Sequence, residues 1–408
     1  MNIHSIRKLK TIRNKAVFLR ADLNVPVKKN KVLDDFKINA ALPTIRYLLR
    51  YNCRIIIASH LEPVGGEKNA SLAGVAKRLA VLLGKKVKFA DDCIGVTVQK
   101  QAEELKSGEI LMIENLRKHK GEKTNDPAFA RELARLVNKN GGSRAKKIIH
   151  KLTGREPEGI YVNDSFGVDH RKHASLSAIK KLLPAYAGLL IEKEIENLEK
   201  VRHPKSPAVA IVGGAKISTK IALIKSLLPK YDAVLVGGAM ANNFFAARGL
   251  EIGKSLASPD EISLAKKLTD EKIILPVDVI VSTKKEKGKV RHAKIDKVKK
   301  TEYIFDIGPE TIKLYAKYIK EAKTLVWNGP MGKFEDRPFS QGTLSIARLV
   351  ASRAGGQAFG VAGGGETMDA LKQSKMLEYL DWASTGGGAM LSYLGGEKMP
   401  GLEGIVKK

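Results

Sequence analysis

Short β-branched runs alternate with helical patterns along the whole 408-residue chain. That alternation restricts the fold to parallel sheets built from βαβ units. The length exceeds what one ordinary core holds, so two α/β domains are expected, with residues 186–207 reading as a helix that crosses between them and then stops at Pro204 and Pro207. The predicted strands end in two different ways. In the first half, AVFLRADLNVP, RIIIASHLEP, ILMIENLRKHK and GIYVNDSFGVDHRKH run into polar or basic clusters. In the second half, AIVGGAKIS, VLVGGAMANN, GVAGGGETMD and WASTGGGAM run into glycines. Open α/β sheets bind ligands beyond the carboxyl ends of their strands. One half therefore offers a cup of arginine and histidine, and the other offers backbone amides that phosphates can approach closely.

The stretch IVGGAKISTKIALIKSLL, residues 211–228, carries Lys216 and Lys220 four apart where a helical pattern begins. The spacing predicts two lysines on one helix face near the end whose N–H groups point outward, a place to hold phosphate. It is not the G-x-x-x-x-G-K-[ST] loop, because both the spacing and the residue after the lysine differ. Single glycine turns often serve packing alone; four in one half point to a nucleotide cleft that includes Gly237 and Gly238.

The charge balance, 72 Lys+Arg against 43 Asp+Glu, leaves a net +29. Such a surplus favours polyanions, either nucleic acid or phosphorylated metabolites. The lysines are spread along the chain, and the basic segments lack interleaved aromatics, so nucleic-acid contact is expected to be weak and nonspecific at most. The segment 140–158, NGGSRAKKIIHKLTGREPE, reads as a basic surface excursion. Cys53 and Cys93 make neither a disulfide framework nor a C-x-x-C site. No apolar stretch is long enough to span a bilayer, and MNIHSIRKLK lacks an apolar signal core, so no membrane association and a cytoplasmic location are expected.

The motifs together resemble the phosphoglycerate kinase family over essentially the whole chain. The resemblance is carried by LRADLNVP, ALPTIRYLL, VNDSFGVDHRKHAS, GGAKISTKI, DIGPETIKLY, TLVWNGPMGKFE and STGGGAM, in the family's order. It implies reversible phosphoryl transfer between 1,3-bisphosphoglycerate and ADP, giving 3-phosphoglycerate and ATP, with Mg²⁺ accompanying the nucleotide and a monomeric enzyme. It also implies an α/β fold of two doubly wound parallel-sheet (Rossmann-like) domains joined by a hinge helix: a substrate domain at 1–185, a hinge at 186–203, a nucleotide domain at 204–387 and a segment, 388–408, returning to the first domain. Asp22, Asn24, His60, Arg117, His170 and Arg171 match substrate positions. Lys37, Lys216 and Arg171 match positions that act on the transferred group. Lys220, Gly237, Gly238, Asn328, Glu335, Gly364, Gly365, Glu366 and Thr367 match nucleotide positions, with Glu366 near the metal.

Three departures stand out. Lys37 takes the place of an arginine before the first helix. The family's HLGRP reads HLEP, which loses an arginine and adds Glu62. Glu366 replaces the aspartate of the common GGGDT. Lysine keeps the charge but not the rigid fork of arginine. A pocket rebuilt around Lys37, with Glu62 as its partner, is the alternative to a lost arginine fork. Two other readings of function also stay open at this point: a relative that phosphorylates another carboxylate, and a polyanion-binding protein on the same scaffold.

Overall fold

A computed structural model describes residues 2–9, 11–63, 70–138, 159–284 and 290–407. The basic stretch read as a surface excursion at 140–158 lies outside the described residues. Among those residues no helix is long and apolar enough to cross a membrane. The chain divides into two units, Met1–Ile195 with Lys398–Lys408, and Glu196–Glu397.

The first unit holds six parallel strands: β1 (Ala16–Ala21), β2 (Arg54–Ala58), β3 (Val87–Phe89), β4 (Ile110–Met112), β5 (Gly159–Asp164) and β6 (Ala185–Ala187), in the order β3-β4-β2-β1-β5-β6. Every residue of β1 and β5 is buried, as expected for parallel strands covered on both faces. The helix α1 (Phe36–Arg50) lays Ile38, Ala41, Leu42, Ile45 and Leu48 on the core that contains Val17, Leu19, Ile55 and Ile160. Lys37, expected just before this helix, lies in its first turn.

The second unit repeats the plan with β7 (Ala208–Val212), β8 (Ala233–Val236), β9 (Ile273–Ile274), β13 (Thr324–Asn328), β14 (Phe359–Gly363) and β15 (Trp382–Ser384). Their order is β9-β8-β7-β13-β14-β15, all parallel. Strand order reverses between β1 and β5 in one sheet and between β7 and β13 in the other. Those reversals are where doubly wound sheets open a ligand crevice.

A three-stranded antiparallel sheet, β11-β10-β12, was not expected from the alternating pattern. It comprises β10 (Asp278–Ser282), β11 (Val290–Lys294) and β12 (Tyr303–Ile307). The sequence of β11, VRHAK, keeps only Ala293 buried, and a mostly solvated edge strand lacks the apolar run by which strands are read.

The connection between units runs through α2 (Leu189–Arg202), which crosses the boundary after Ile195. The segment counted with the first unit starts at Lys398 rather than at 388. The last helix, Gly387–Leu394, belongs to the second unit, where Ser226 Oγ donates to the carbonyl of Leu394 at 2.7 Å. Further along, Lys180 Nζ gathers the carbonyls of Pro400, Gly401 and Glu403 at 2.7, 2.9 and 2.7 Å. Gly401 N–H donates to the carbonyl of Asp169, next to His170 and Arg171.

Candidate active site

The first unit gathers its cations at the ends of β1, β2, β4 and β5. Asp22 follows β1 and is almost fully buried; Lys37 Nζ donates to its Oδ2 at 2.8 Å. The other oxygen, Oδ1, accepts the backbone N–H of Asn24 at 3.2 Å. Asn24 Oδ1 accepts the N–H of Glu62 at 2.8 Å, tying the β1 turn to the β2 turn. Lys37 is thus paired with Asp22, and Glu62 turns its carboxylate to Arg117 instead, with Arg171 Nη1 at 3.9 Å. The partnership of Lys37 with Glu62 is corrected accordingly. The reason is reach: the first turn of α1 faces the β1 end, and the Arg117 turn faces β2.

His60 is buried beside Arg20, whose Nη2 donates to Nδ1 at 3.2 Å. Accepting at Nδ1 puts the ring proton on Nε2. Burial, followed by the charges of Arg20, Arg117, Lys37 and Arg171, holds the imidazole well below its ordinary pKa. His60 is therefore neutral and serves as a hydrogen-bond donor, not as a cation. Arg20 was not singled out from the sequence, although it sits inside LRADLNVP. An arginine inside an apolar run was the available signal, and the structure buries it fully. Its Nε donates to Ser175 Oγ at 3.0 Å, and that hydroxyl donates to Glu122 Oε1 at 2.6 Å. Beyond β5, Arg171 Nε donates to His170 Nε2 at 3.3 Å.

In the second unit the strand-end turns interlock through backbone. Gly213 N–H donates to Asn328 O, Gly214 N–H to Pro330 O and Gly238 N–H to Met331 O, at 2.9, 2.9 and 2.8 Å. A Cβ on Gly329 would lie 2.3 Å from the carbonyl of Gly213, so only glycine permits this approach. Gly237 serves packing, since its Cβ would meet Met331 Sδ at 2.5 Å. A cavity of about 340 Å³ opens beside these turns, lined by Gly238, Glu335 and Glu366 and walled by Phe245, Leu256 and Tyr303. That apolar wall escaped the sequence reading because it draws together the unforeseen β12, the helix Ala239–Ala247 and a loop at Leu256.

Lys220, nearly buried, donates from Nζ to Asn328 Oδ1, and Asn328 Nδ2 donates to Gly363 O at 2.6 Å. Burial pushes the Lys220 ammonium down to about 8, against the opposing pull of Glu366. Gly365 would meet nothing within 4 Å on gaining a Cβ, whereas Gly364 (φ +108°) caps the helix Gly365–Gln373. Thr367 is fully buried, and its Oγ1 accepts the N–H of Gly329 at 2.7 Å, a role in the turn.

The lysine pair needs correction. The helix begins at Ile221, so Lys220 is its N-cap and Lys216 lies in the preceding loop, exposed. Glu261 takes the N–H groups of Ile217 and Ser218 at 2.5 and 3.0 Å, and the Ser218 hydroxyl. Residues 218–220 form a turn, closed by Lys220 N–H donating to Ile217 O at 2.8 Å, so the two lysines do not share a helix face.

A family model described as phosphoglycerate kinase matches residues 6–140 and 142–397. The chain belongs to the phosphoglycerate kinase family. It is 40% identical over 407 residues to the phosphoglycerate kinase of Pelotomaculum thermopropionicum, covering 97% of this chain and 98% of that one. It is 41% identical to that of Moorella thermoacetica with the same coverage. Among solved structures, the phosphoglycerate kinase from Coxiella burnetii superposes with a TM-score of 0.80 at 36% identity. That from Pyrococcus horikoshii gives 0.83 at 30% identity, and each comparison covers 98% of both chains. The enzyme is accordingly a phosphoglycerate kinase, a glycolytic phosphotransferase with a carboxyl acceptor, whose substrates are phosphoglycerate and ATP or ADP. Family membership does not favour transfer to another carboxylate or a polyanion-binding scaffold.

Proposed function

We propose that the first unit binds 3-phosphoglycerate or 1,3-bisphosphoglycerate and the second binds the nucleotide. The supporting observation is that each sheet reverses its strand order at a different chemistry: clustered cations in one, a glycine-lined cavity in the other. Asp22 and Asn24 accept from and donate to the glycerate hydroxyl and carboxylate. His60, Arg117, His170 and Arg171 surround its anionic groups. Arginine suits this role because its planar fork bonds oxyanions in pairs.

Phosphoryl transfer is positioning and charge stabilisation; it asks for cations and exclusion of water, with no protein nucleophile. Lys37, Lys216 and Arg171 supply charge to the moving group, and the exposed, unhelical setting of Lys216 leaves its side chain free to follow it. Lys220 and Asn328 hold nucleotide phosphates, with Gly238, Gly364 and Gly365 giving close backbone approach; Gly237 and Thr367 support those turns. Glu335 takes the ribose hydroxyls. Glu366, an exposed carboxylate on the cavity wall, is a hard oxygen donor of the kind Mg²⁺ accepts beside phosphates. The bound ion supplies neutralisation of phosphate charge. The reading is completed by α2 as the hinge, a monomer, a cytoplasmic location and at most weak nucleic-acid contact.

Calorimetry on two variants tests the division. Arg117→Ala should lose 3-phosphoglycerate affinity and keep ATP, and Lys220→Ala the reverse. A variant that loses both ligands, or neither, overturns the assignment. Glu366→Gln should raise the Mg²⁺ concentration needed for half-maximal rate.

A further inference from the structure

Arg117 is only 11% exposed along its side chain and is held at one corner. Its Nη1 donates to Glu62 Oε1, whereas Nε and Nη2 are buried and make no hydrogen bond among the described residues. Buried guanidinium donors without acceptors are costly, so a site that keeps two of them open is shaped for an incoming oxyanion. Glu62 also lies 3.9 Å from Arg171, so one carboxylate already spans the two arginines assigned to the substrate. It is half exposed, and its N–H is pinned to Asn24, so the backbone is fixed while the carboxylate can swing away.

We infer that Glu62 is an intramolecular competitor of the substrate's anionic end for Arg117 and Arg171, so that ligand binding exchanges a carboxylate for phosphate or carboxylate oxygens. The Arg117 hydrogen bond holds Glu62 below its ordinary pKa, which keeps the competitor charged at neutral pH. The exchange sets a threshold. A ligand that cannot satisfy both arginines gains little by displacing Glu62, while one that bonds Arg117 on two edges gains more than it removes.

The inference rests on the assignment of Arg117 and Arg171 to the substrate. It is tested by calorimetric titration of 3-phosphoglycerate and inorganic phosphate into wild type, Glu62→Gln, Glu62→Asp and Arg117→Ala, with ATP titrated into each as a check of the fold. Glu62→Gln should bind both anions about five- to tenfold more tightly, with ATP affinity unchanged. Glu62→Asp, too short to reach Arg117, should follow it. Unchanged or weaker anion binding in Glu62→Gln overturns competition, weaker binding pointing to a role in orienting Arg117. If Arg117→Ala leaves 3-phosphoglycerate binding intact, the substrate assignment itself fails, whatever Glu62 does.

Discussion

In the proposed assignment the two crevices hold phosphate with different materials. The rim of the first unit places charged side chains side by side, Lys37 against Asp22 and Arg117 against Glu62, and keeps His60 neutral among them. The second unit relies on interlocked backbone turns in which Gly213, Gly238 and Gly329 leave no room for a Cβ, and it buries Lys220 on Asn328. A rim of partly exposed side-chain ion pairs is adjustable, and salt screens it in proportion to that exposure. A turn built from interlocked backbone is rigid, and its charge is tuned by burial. The difference fits the proposed division of labour, in which one side meets a small, highly charged acid and the other a large ligand with an apolar base.

The comparison breaks most visibly at Lys216, the exposed cation of the glycine-lined side. Removing a donor that acts on transition-state charge costs roughly 10²–10³ in rate. Lys216→Ala should lower kcat by about that factor and change KM for ATP little, in steady-state kinetics. A KM effect alone would move Lys216 from the transferred group to ground-state binding.

Next in size is Lys220. Its ammonium, pushed down to about 8 by burial, is charged below that pH and neutral above it. Nucleotide affinity should therefore fall as pH rises through about 8, and binding near that pH should take up a proton, visible as a buffer-dependent enthalpy. The stability effect has the opposite sign. The unfolded lysine titrates near its ordinary 10.5, so the burial penalty is full below pH 8 and is relieved between 8 and 10.5. Lys220→Met should abolish the alkaline fall in affinity and weaken nucleotide binding about tenfold.

A smaller effect is expected at Lys37. Lys37→Met leaves Asp22 buried without its cation and should cost about 1–2 kcal/mol in denaturant unfolding. Lys37→Arg restores a fork and should raise kcat, by up to about tenfold, without moving KM for ATP. Unchanged kcat would place Lys37 outside the transferred group and leave it as the partner of Asp22 alone.

The subtlest measurement is of His60. Its ring should titrate below pH 6.5 in an NMR titration, because burial and the charges of Arg20, Arg117, Lys37 and Arg171 oppose protonation. Arg20→Gln should move that midpoint upward. A midpoint at or above 6.5 in the wild type would mean that the rim uses His60 as a cation after all.

The fold class, the whole-chain family resemblance and the two kinds of strand end were legible in the sequence, for a local reason. Parallel strands buried on both faces must be apolar runs, and the residue just past each run is where a crevice forms. The motifs and their order also carried the resemblance to the phosphoglycerate kinase family. Pairing was not legible. Whether Glu62 meets Lys37, Arg117 or nothing depends on which strands are neighbours, and β1, β2 and β4 come together from residues nearly a hundred apart. The helix start at Ile221 was not legible either: the preceding turn is anchored on Glu261, 43 and 44 positions further along the chain. Arg20 shows the limit most plainly. An arginine in a strand that reads as core has no local explanation, and only the convergence of β1, β2 and the Ser175 turn supplies the acceptors that let it be buried.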